Sequence, residues 1–255
     1  MKIILSFFIL LIIGCNTGSK KQGSDTEENS DSITRNKYQP GQYNIEATEL
    51  TQSEVPPEVR KQLPPDWVFE KALKWTDKNG NNMLITYSEI TLPSIDNHYN
   101  EILRLNLRRF KQKDSVYELA GKPWSDSIQC PQSFMRTEFI NDSYTITDLD
   151  KDGIAEVKIQ YISSCGRPVQ GNFVLFTADT LYTLRGLMWL DDHYGKFTLT
   201  EDSLDLEKRP NKEQMLIPDR AGLYTTEKDF NKAPPIFLQF ARSEWLKHIR
   251  MNYFL

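Results

Sequence analysis

No excess of basic residues, no long apolar run, and very little cysteine or histidine characterise this 255-residue sequence. Its 31 Lys and Arg are outnumbered by 35 Asp and Glu, a formal charge of −4. A duplex binder needs a basic field to exchange for counterions, so the balance speaks against nucleic acid as a partner. Removing Lys2 with a leader leaves 30 against 35, or −5. The longest apolar stretch, residues 3–13 broken only by Ser6, covers 11 positions, against the ~20 needed to span a bilayer. Three Cys are too few for a disulfide-dense scaffold, and nothing repeats at a fixed period. The GxSxG elbow, the HExxH zinc helix, the glycine-rich phosphate loop and a Cys–His signature are all missing. No catalytic residue is therefore assigned, and a non-enzymatic role is favoured.

What is present begins with an address. Lys2 precedes the apolar run, and Ile12-Ile13-Gly14-Cys15 follows it. This resembles the signal peptide and lipobox of bacterial lipoproteins. The resemblance implies that residues 1–14 are a cleaved leader and that the Cys15 thiol carries a diacylglycerol, with further acylation of the new amine by a chain such as palmitate. Acyl chains contribute about 0.8 kcal/mol per buried methylene, so two or three anchor a protein to a membrane. The alternative is an ordinary signal peptide with a chance Cys. Asn16 stands where an inner-membrane retention Asp would stand, so attachment to the outer membrane of the cell envelope is expected by analogy, with the facing side open. Residues 16–36 carry one aliphatic residue, Ile33, and cannot offset their ordering entropy; 15–36 reads as lipidated Cys plus disordered tether. Residues 37–255 read as a single β-rich globular domain.

With Cys15 spent on lipid, Cys130 and Cys165 remain. An even pair in an oxidising compartment suggests one disulfide, closing a loop of about 36 residues worth roughly 3–4 kcal/mol. Two buried thiols are the alternative. A zinc site lacks further ligands, since His98, His193 and His248 are each isolated in sequence.

The domain reads as mainly β, or α+β: an antiparallel sheet built from hairpins with a C-terminal amphipathic helix packed on it. Leu103, Leu105 and Leu107 alternate with Arg104, Asn106 and Arg108, and Val157, Ile159 and Tyr161 alternate with Glu156, Lys158 and Gln160. Such alternation predicts half-buried strands with one wet face. Hairpins are predicted around Asp77–Asn82 and near Lys113-Asp114, and further strands at 173–176, 181–184 and 196–199. Pro56–Leu63 predicts a short helical turn. Pro234-Pro235 opens a helix whose Phe237, Phe240, Ala241, Trp245 and Ile249 form one stripe, read as docking on a sheet rather than on a partner or membrane. Residues 202–230 read as long loop.

One motif carries chemistry. Asp148-Leu149-Asp150-Lys151-Asp152-Gly153-Ile154-Ala155-Glu156 sets three carboxylates at alternate positions, a glycine at the turn and a fourth carboxylate at position nine. A hard cation takes 6–8 oxygens, and this spacing offers Asp148, Asp150, Asp152, the Ile154 carbonyl and Glu156 to Ca²⁺. Position twelve is Ile159 and the flanks are strand-like, so the loop departs from the EF-hand. It is similar to the DxDxDGxxD-type loops between strands of integrin-like propeller repeats, although a single copy implies no propeller. A structural Ca²⁺, an Asp-rich turn without metal, and a regulatory or catalytic metal are the three readings. Asp191-Asp192-His193 and then Glu201-Asp202 are the leftover acid–base clusters. The five Trp are either a sugar-stacking platform or core.

Taken together, Trp75–Gly80 with Leu84-Ile85-Thr86, Cys130-Pro131, Asp148–Glu156 running to Tyr161 and Cys165, Leu184-Arg185-Gly186, and Lys232-Ala233-Pro234 before Phe240-Ala241 and Trp245 resemble an exported bacterial family labelled "surface polysaccharide biosynthesis protein". The likeness implies the Cys130–Cys165 pairing and the calcium-like loop, and it names a process without a reaction. Gly166-Arg167-Pro168 departs from the family pattern after the second Cys. Asp114-Ser115-Val116, Asp126-Ser127-Ile128 and three similar triplets resemble a bacterial O-glycosylation sequon of the form D-(S/T)-aliphatic. Two functions follow as expectations. The first is a lipid-anchored envelope protein with a Ca²⁺-stabilised domain in a binding or accessory role, meeting a membrane through its lipid and a glycan or envelope protein as partner. The alternative is an envelope enzyme or accessory factor in surface polysaccharide biosynthesis.

Overall fold

The computed structural model describes residues 38–39, 41–91, 102–129, 135–166, 168–188 and 199–249. The leader, Cys15 and the tether, Cys130, Trp189 and the cluster Asp191-Asp192-His193 lie outside the described residues.

Two antiparallel sheets are built from strands joined mostly by hairpins. The first contains β1 (Ala47–Leu50), β2 (Val68–Asp77), β3 (Gly80–Thr91), β4 (Ile102–Lys113), β5 (Val116–Leu119) and β6 (Trp124–Gln129). The order runs β1-β2-β3-β4, and both β5 and β6 pair with β4, one along 110–113 and the other along 102–107. The second contains β7 (Met135–Phe139), β8 (Thr145–Thr147), β9 (Glu156–Cys165), β10 (Gln170–Phe176) and β11 (Leu181–Leu187). Its order is β11-β10-β9, with β7 and β8 sharing the remaining edge of β9. Each sheet thus has one long strand flanked on one side by two short ones.

Local chemistry accounts for both predicted hairpins. Asp77 pairs with Gly80 across the two-residue turn Lys78-Asn79. Asp77 Oδ1 accepts from the Asn79 amide at 2.8 Å, an Asx turn, and Gly80 supplies the positive φ of +100°. Asp114 and Ser115 form the β4–β5 turn with φ of 47° and 72°, the geometry of a two-residue hairpin turn whose twist matches the strands.

The inner faces meet in a core of Leu73, Trp75, Leu84, Leu105 and Leu107 from the first sheet and Val157, Ile159, Tyr161, Val174 and Phe176 from the second. On the outer face of the first sheet, Val55, Val59 and Leu63 around α1 (Pro57–Arg60) pack on Ala72, Met83, Ile85, Tyr87 and Phe110. On the outer face of the second, α2 (Pro235–Ile249) seats Phe237, Phe240, Ala241, Trp245 and Ile249 against Ile162, Phe173, Leu175 and Leu184. All five residues of the expected stripe are buried.

This layering corrects the wet-face expectation. β9 is buried from Glu156 to Ser164, including Glu156, Lys158 and Gln160, because α2 covers the face that the alternation assigned to water. On β4, Asn106 is buried too, while Arg104 stays exposed. Residues 201–230 are likewise more ordered than plain loop, with single 3₁₀ turns at 201–203, 206–208, 212–214, 218–220 and 228–230. Of the expected strand at 196–199, only Leu199 is described, and it lies in no strand.

Candidate functional site

The Asp-rich loop connects β8 to β9 and inherits its shape from both. The Asp148 amide donates to the Tyr43 carbonyl at 2.9 Å, which fixes its start. Gly153, at φ +85°, makes the turn, and Lys151 also takes a left-handed φ of 62°. Within the loop each aspartate turns the chain: Gly153 N donates to Asp148 at 3.2 Å, Asp152 N to Asp150 Oδ1 at 3.3 Å, and Ile154 N to Asp152 Oδ1 at 2.6 Å. The result brings carboxylate oxygens of Asp148, Asp150 and Asp152 within 4.8 Å of one another.

Glu156 stands apart from that group. It is 3% exposed, and its Oε2 accepts from the Leu149 amide at 2.7 Å, bracing the loop from inside. Burial pushes its carboxyl up to about 8, with the charges of Asp150, Asp148 and Asp152 adding to the rise. Burial also raises Asp150. Of the five ligands expected from the sequence, the structure gathers the carboxylates of Asp148, Asp150 and Asp152 within 4.8 Å, and one oxygen of Glu156 accepts from the Leu149 amide.

The β2–β3 turn completes the site, and sequence spacing gave no hint of it. Asp77 Oδ2 accepts from Ala155 N at 3.1 Å and Trp75 Nε1 at 3.3 Å. Lys78 N donates to Gly153 O at 2.8 Å, and its Nζ to Asp152 O at 3.1 Å. The acidic loop of the second sheet is thereby clamped by the hairpin tip of the first. Lys78, rather than Lys151 alone, supplies counter-charge; Lys151 Nζ lies 5.2 Å from the ring centroid of Tyr43. A signal was available in hindsight: an Asx turn with a free carboxylate oxygen is a ready acceptor for a second loop.

A second polar group lies under α2. Lys158 Nζ and Glu244 Oε2 are 2.6 Å apart with the lysine side chain fully buried. His248, 1% exposed, places Nδ1 2.8 Å from the Glu244 carbonyl. Burial, reinforced by Lys158, lowers His248 to about 4; burial also lowers Lys158 to about 8, while Lys158 holds Glu244 below the usual carboxylate range against the effect of burial. The sign of the pH effect follows. A His depressed in the fold costs nothing above its unfolded value near 6.5, and stability falls as pH drops from 6.5 towards 4. The limiting slope is about 1.4 kcal/mol per pH unit. Glu156, raised in the fold, acts in the opposite direction over 8 to 4.5, so the informative quantity is a difference. Urea unfolding of H248Q and of the parent is expected to diverge between pH 6.5 and 4 and to run parallel above 6.5; parallel curves throughout contradict a neutral buried His248.

The remaining sequence candidates are not brought together. Asp202 is exposed and pairs with Arg242 at 3.1 Å. Trp75 and Trp245 are buried in two different cores, and Trp67 and Trp124 are half-buried, so no stacking platform forms among the described residues. Ser115 and Ser127 of the sequon-like triplets are exposed. No family model matches the chain, and no curated protein and no solved structure matches it either.

Proposed function

We propose that this is a lipid-anchored envelope protein whose β-rich domain is stabilised by one Ca²⁺ in the 148–156 loop and serves a binding or accessory role. The observation that carries the metal is the convergence of Asp148, Asp150 and Asp152 within 4.8 Å on a loop held from both sides. Three carboxylates fit a hard cation that completes its shell with carbonyl and water oxygens. Few protein ligands imply extracellular-type affinity, on the order of 10⁻⁴–10⁻³ M. The cation relieves repulsion among carboxylates that share a partly buried site, and it fastens the loop against the β2–β3 turn.

The anchor is Cys15, with outer-membrane attachment, and Cys130 pairs with Cys165. That pairing rests on the even pair of thiols left once Cys15 carries lipid, in an oxidising compartment. The binding role rests on the absence of a catalytic motif in the sequence.

At about 2 mM Ca²⁺ such an affinity stabilises the fold by about 0.6–1.8 kcal/mol, or roughly 1–7 °C in Tm. A thermal melt of the purified protein with Ca²⁺ against EDTA is expected to show this rise, and D150N is expected to abolish it. An unchanged Tm in the parent overturns the metal reading. C15S is expected to release the protein from the membrane fraction and to remove palmitate labelling; a labelled C15S protein overturns the anchor.

A further inference from the structure

A small cavity lies between the outer face of the second sheet and α2. Gln160, Gly171, Met188, Trp245 and His248 are among the residues that line it. Most of the wall is apolar, but three lining residues carry a buried polar atom with no hydrogen-bond partner among the described residues: Gln160 Oε1, His248 Nε2 and Asn172 Oδ1. Asn172 stands between Gly171 and Phe173, which face α2, and its Nδ2 donates to Ser163 Oγ at 3.2 Å, so its side chain turns to the other face of the sheet and leaves Gln160 and His248 for this cavity. The two residues are 3% and 1% exposed. A buried polar atom left unpaired costs about 1–3 kcal/mol, so two in one cavity call for a common explanation.

The chemistry of the imidazole narrows it. His248 Nδ1 lies 2.8 Å from the Glu244 backbone carbonyl, which can only accept. Nδ1 therefore carries the proton, and in the neutral ring Nε2 is left as an acceptor. Gln160 Oε1 is an acceptor as well. Two acceptors cannot satisfy each other; they need a molecule that donates twice. The cavity has room for about one water molecule.

We infer that this cavity holds one resident water that donates one hydrogen to His248 Nε2 and the other to Gln160 Oε1, tying α2 to β9. The groups facing the ring fit this assignment. Lys158 on β9, Glu244 one turn back on α2 and Lys247 beside it are the charges near the imidazole, and the Glu244 carboxylate already pairs with Lys158. Burial and Lys158 keep the ring neutral at pH 7, which preserves Nε2 as an acceptor.

Two measurements on the full chain decide the matter. The ¹⁵N resonances of His248 at pH 7 are expected to show Nδ1 protonated and Nε2 bare. A protonated Nε2 overturns the inference, because that nitrogen would then be a donor and could not accept from the water. A high-resolution crystal structure is expected to show one water peak within hydrogen-bond distance of both atoms. An empty cavity, or a Gln160 amide rotated so that its NH₂ donates straight to Nε2, also overturns it. In solution, a water-to-His248 ring NOE is expected in the parent and is expected to be lost in Q160L; persistence of the NOE in a folded Q160L contradicts the assignment of Gln160 as the second acceptor. The crystal and ¹⁵N measurements need no variant, so a Q160L protein that fails to fold leaves the test intact.

Discussion

Replacing Glu244 with alanine is expected to destabilise the protein by about 3–5 kcal/mol, the largest effect of any single charge removal here. The lysine it leaves behind is fully buried, and among the described residues its only ion-pair partner is Glu244, at 2.6 Å. An isolated ammonium in a dry interior loses its hydration with nothing in exchange, so the variant pays by neutralising Lys158 or by opening the α2 interface. For a domain of this size the loss corresponds to roughly 6–20 °C in Tm. The pair itself is not thereby shown to be a net stabiliser. Exchanging both members for apolar residues of similar volume, as in K158M/E244M, is expected to be neutral or to stabilise by up to about 4 kcal/mol, because both desolvation costs disappear together. Urea unfolding of the two single variants and the double variant measures this directly. Additive losses in the double variant contradict a coupled pair.

A backbone contact should produce the second large effect. Gly186 on β11 pairs with Gly171 on β10, and residues 221–225 cross directly over it. A Cβ at Gly186 would fall inside the van der Waals radii of the Leu223 carbonyl and Tyr224 Cα, both backbone. The crossing segment cannot retreat cheaply. Its amides and carbonyls are spent on Leu187, Arg185 and Leu204, and its side chains on the core: Tyr224 OH donates to Glu227, which Arg242 and Lys208 hold in turn. G186A is expected to cost about 3 kcal/mol or more, at or beyond the usual upper range for overpacking. Gly171 is the control. A Cβ there meets the flexible end of Met188, which can rotate away, so G171A is expected to cost about 1–2 kcal/mol. Equal losses at the two positions would contradict the account of the crossing segment as fixed.

These two sites show where sequence reasoning stops. The hairpins at Asp77–Gly80 and Asp114-Ser115 were legible because their determinants are local: an Asx acceptor, a glycine, a two-residue turn between alternating runs. α2 was legible for the same reason, with Pro at its start and apolar residues at spacings of three and four. The polar side of β9 was not. Alternation of Val157, Ile159 and Tyr161 with Glu156, Lys158 and Gln160 records chemical contrast between two faces, and it cannot say whether the polar face meets water or a partner. The partner of Lys158 sits 86 residues away on a helix whose apolar stripe also carries Glu244 and His248. Polar residues on an otherwise apolar stripe were the available sign that some polar strand residue needed covering. In the same way the three aspartates could be read from spacing, whereas Asp77 and Lys78 join them only through the packing of one sheet on the other.

Glu156 illustrates the opposite limit. Position nine of a calcium-type loop suggests a ligand, and at the start of a strand buried from Glu156 to Ser164 one oxygen of that carboxylate accepts from the Leu149 amide, a contact that spacing does not encode.

The central claim, that the Asp148–Asp152 loop holds a single Ca²⁺, is tested most directly by isothermal titration calorimetry of the purified, EDTA-stripped protein. One site per chain is expected, with a dissociation constant on the order of 10⁻⁴–10⁻³ M, and no binding heat in D148N/D150N. A folded parent protein that gives no heat with millimolar Ca²⁺, or that binds equally well without the two aspartates, would contradict it.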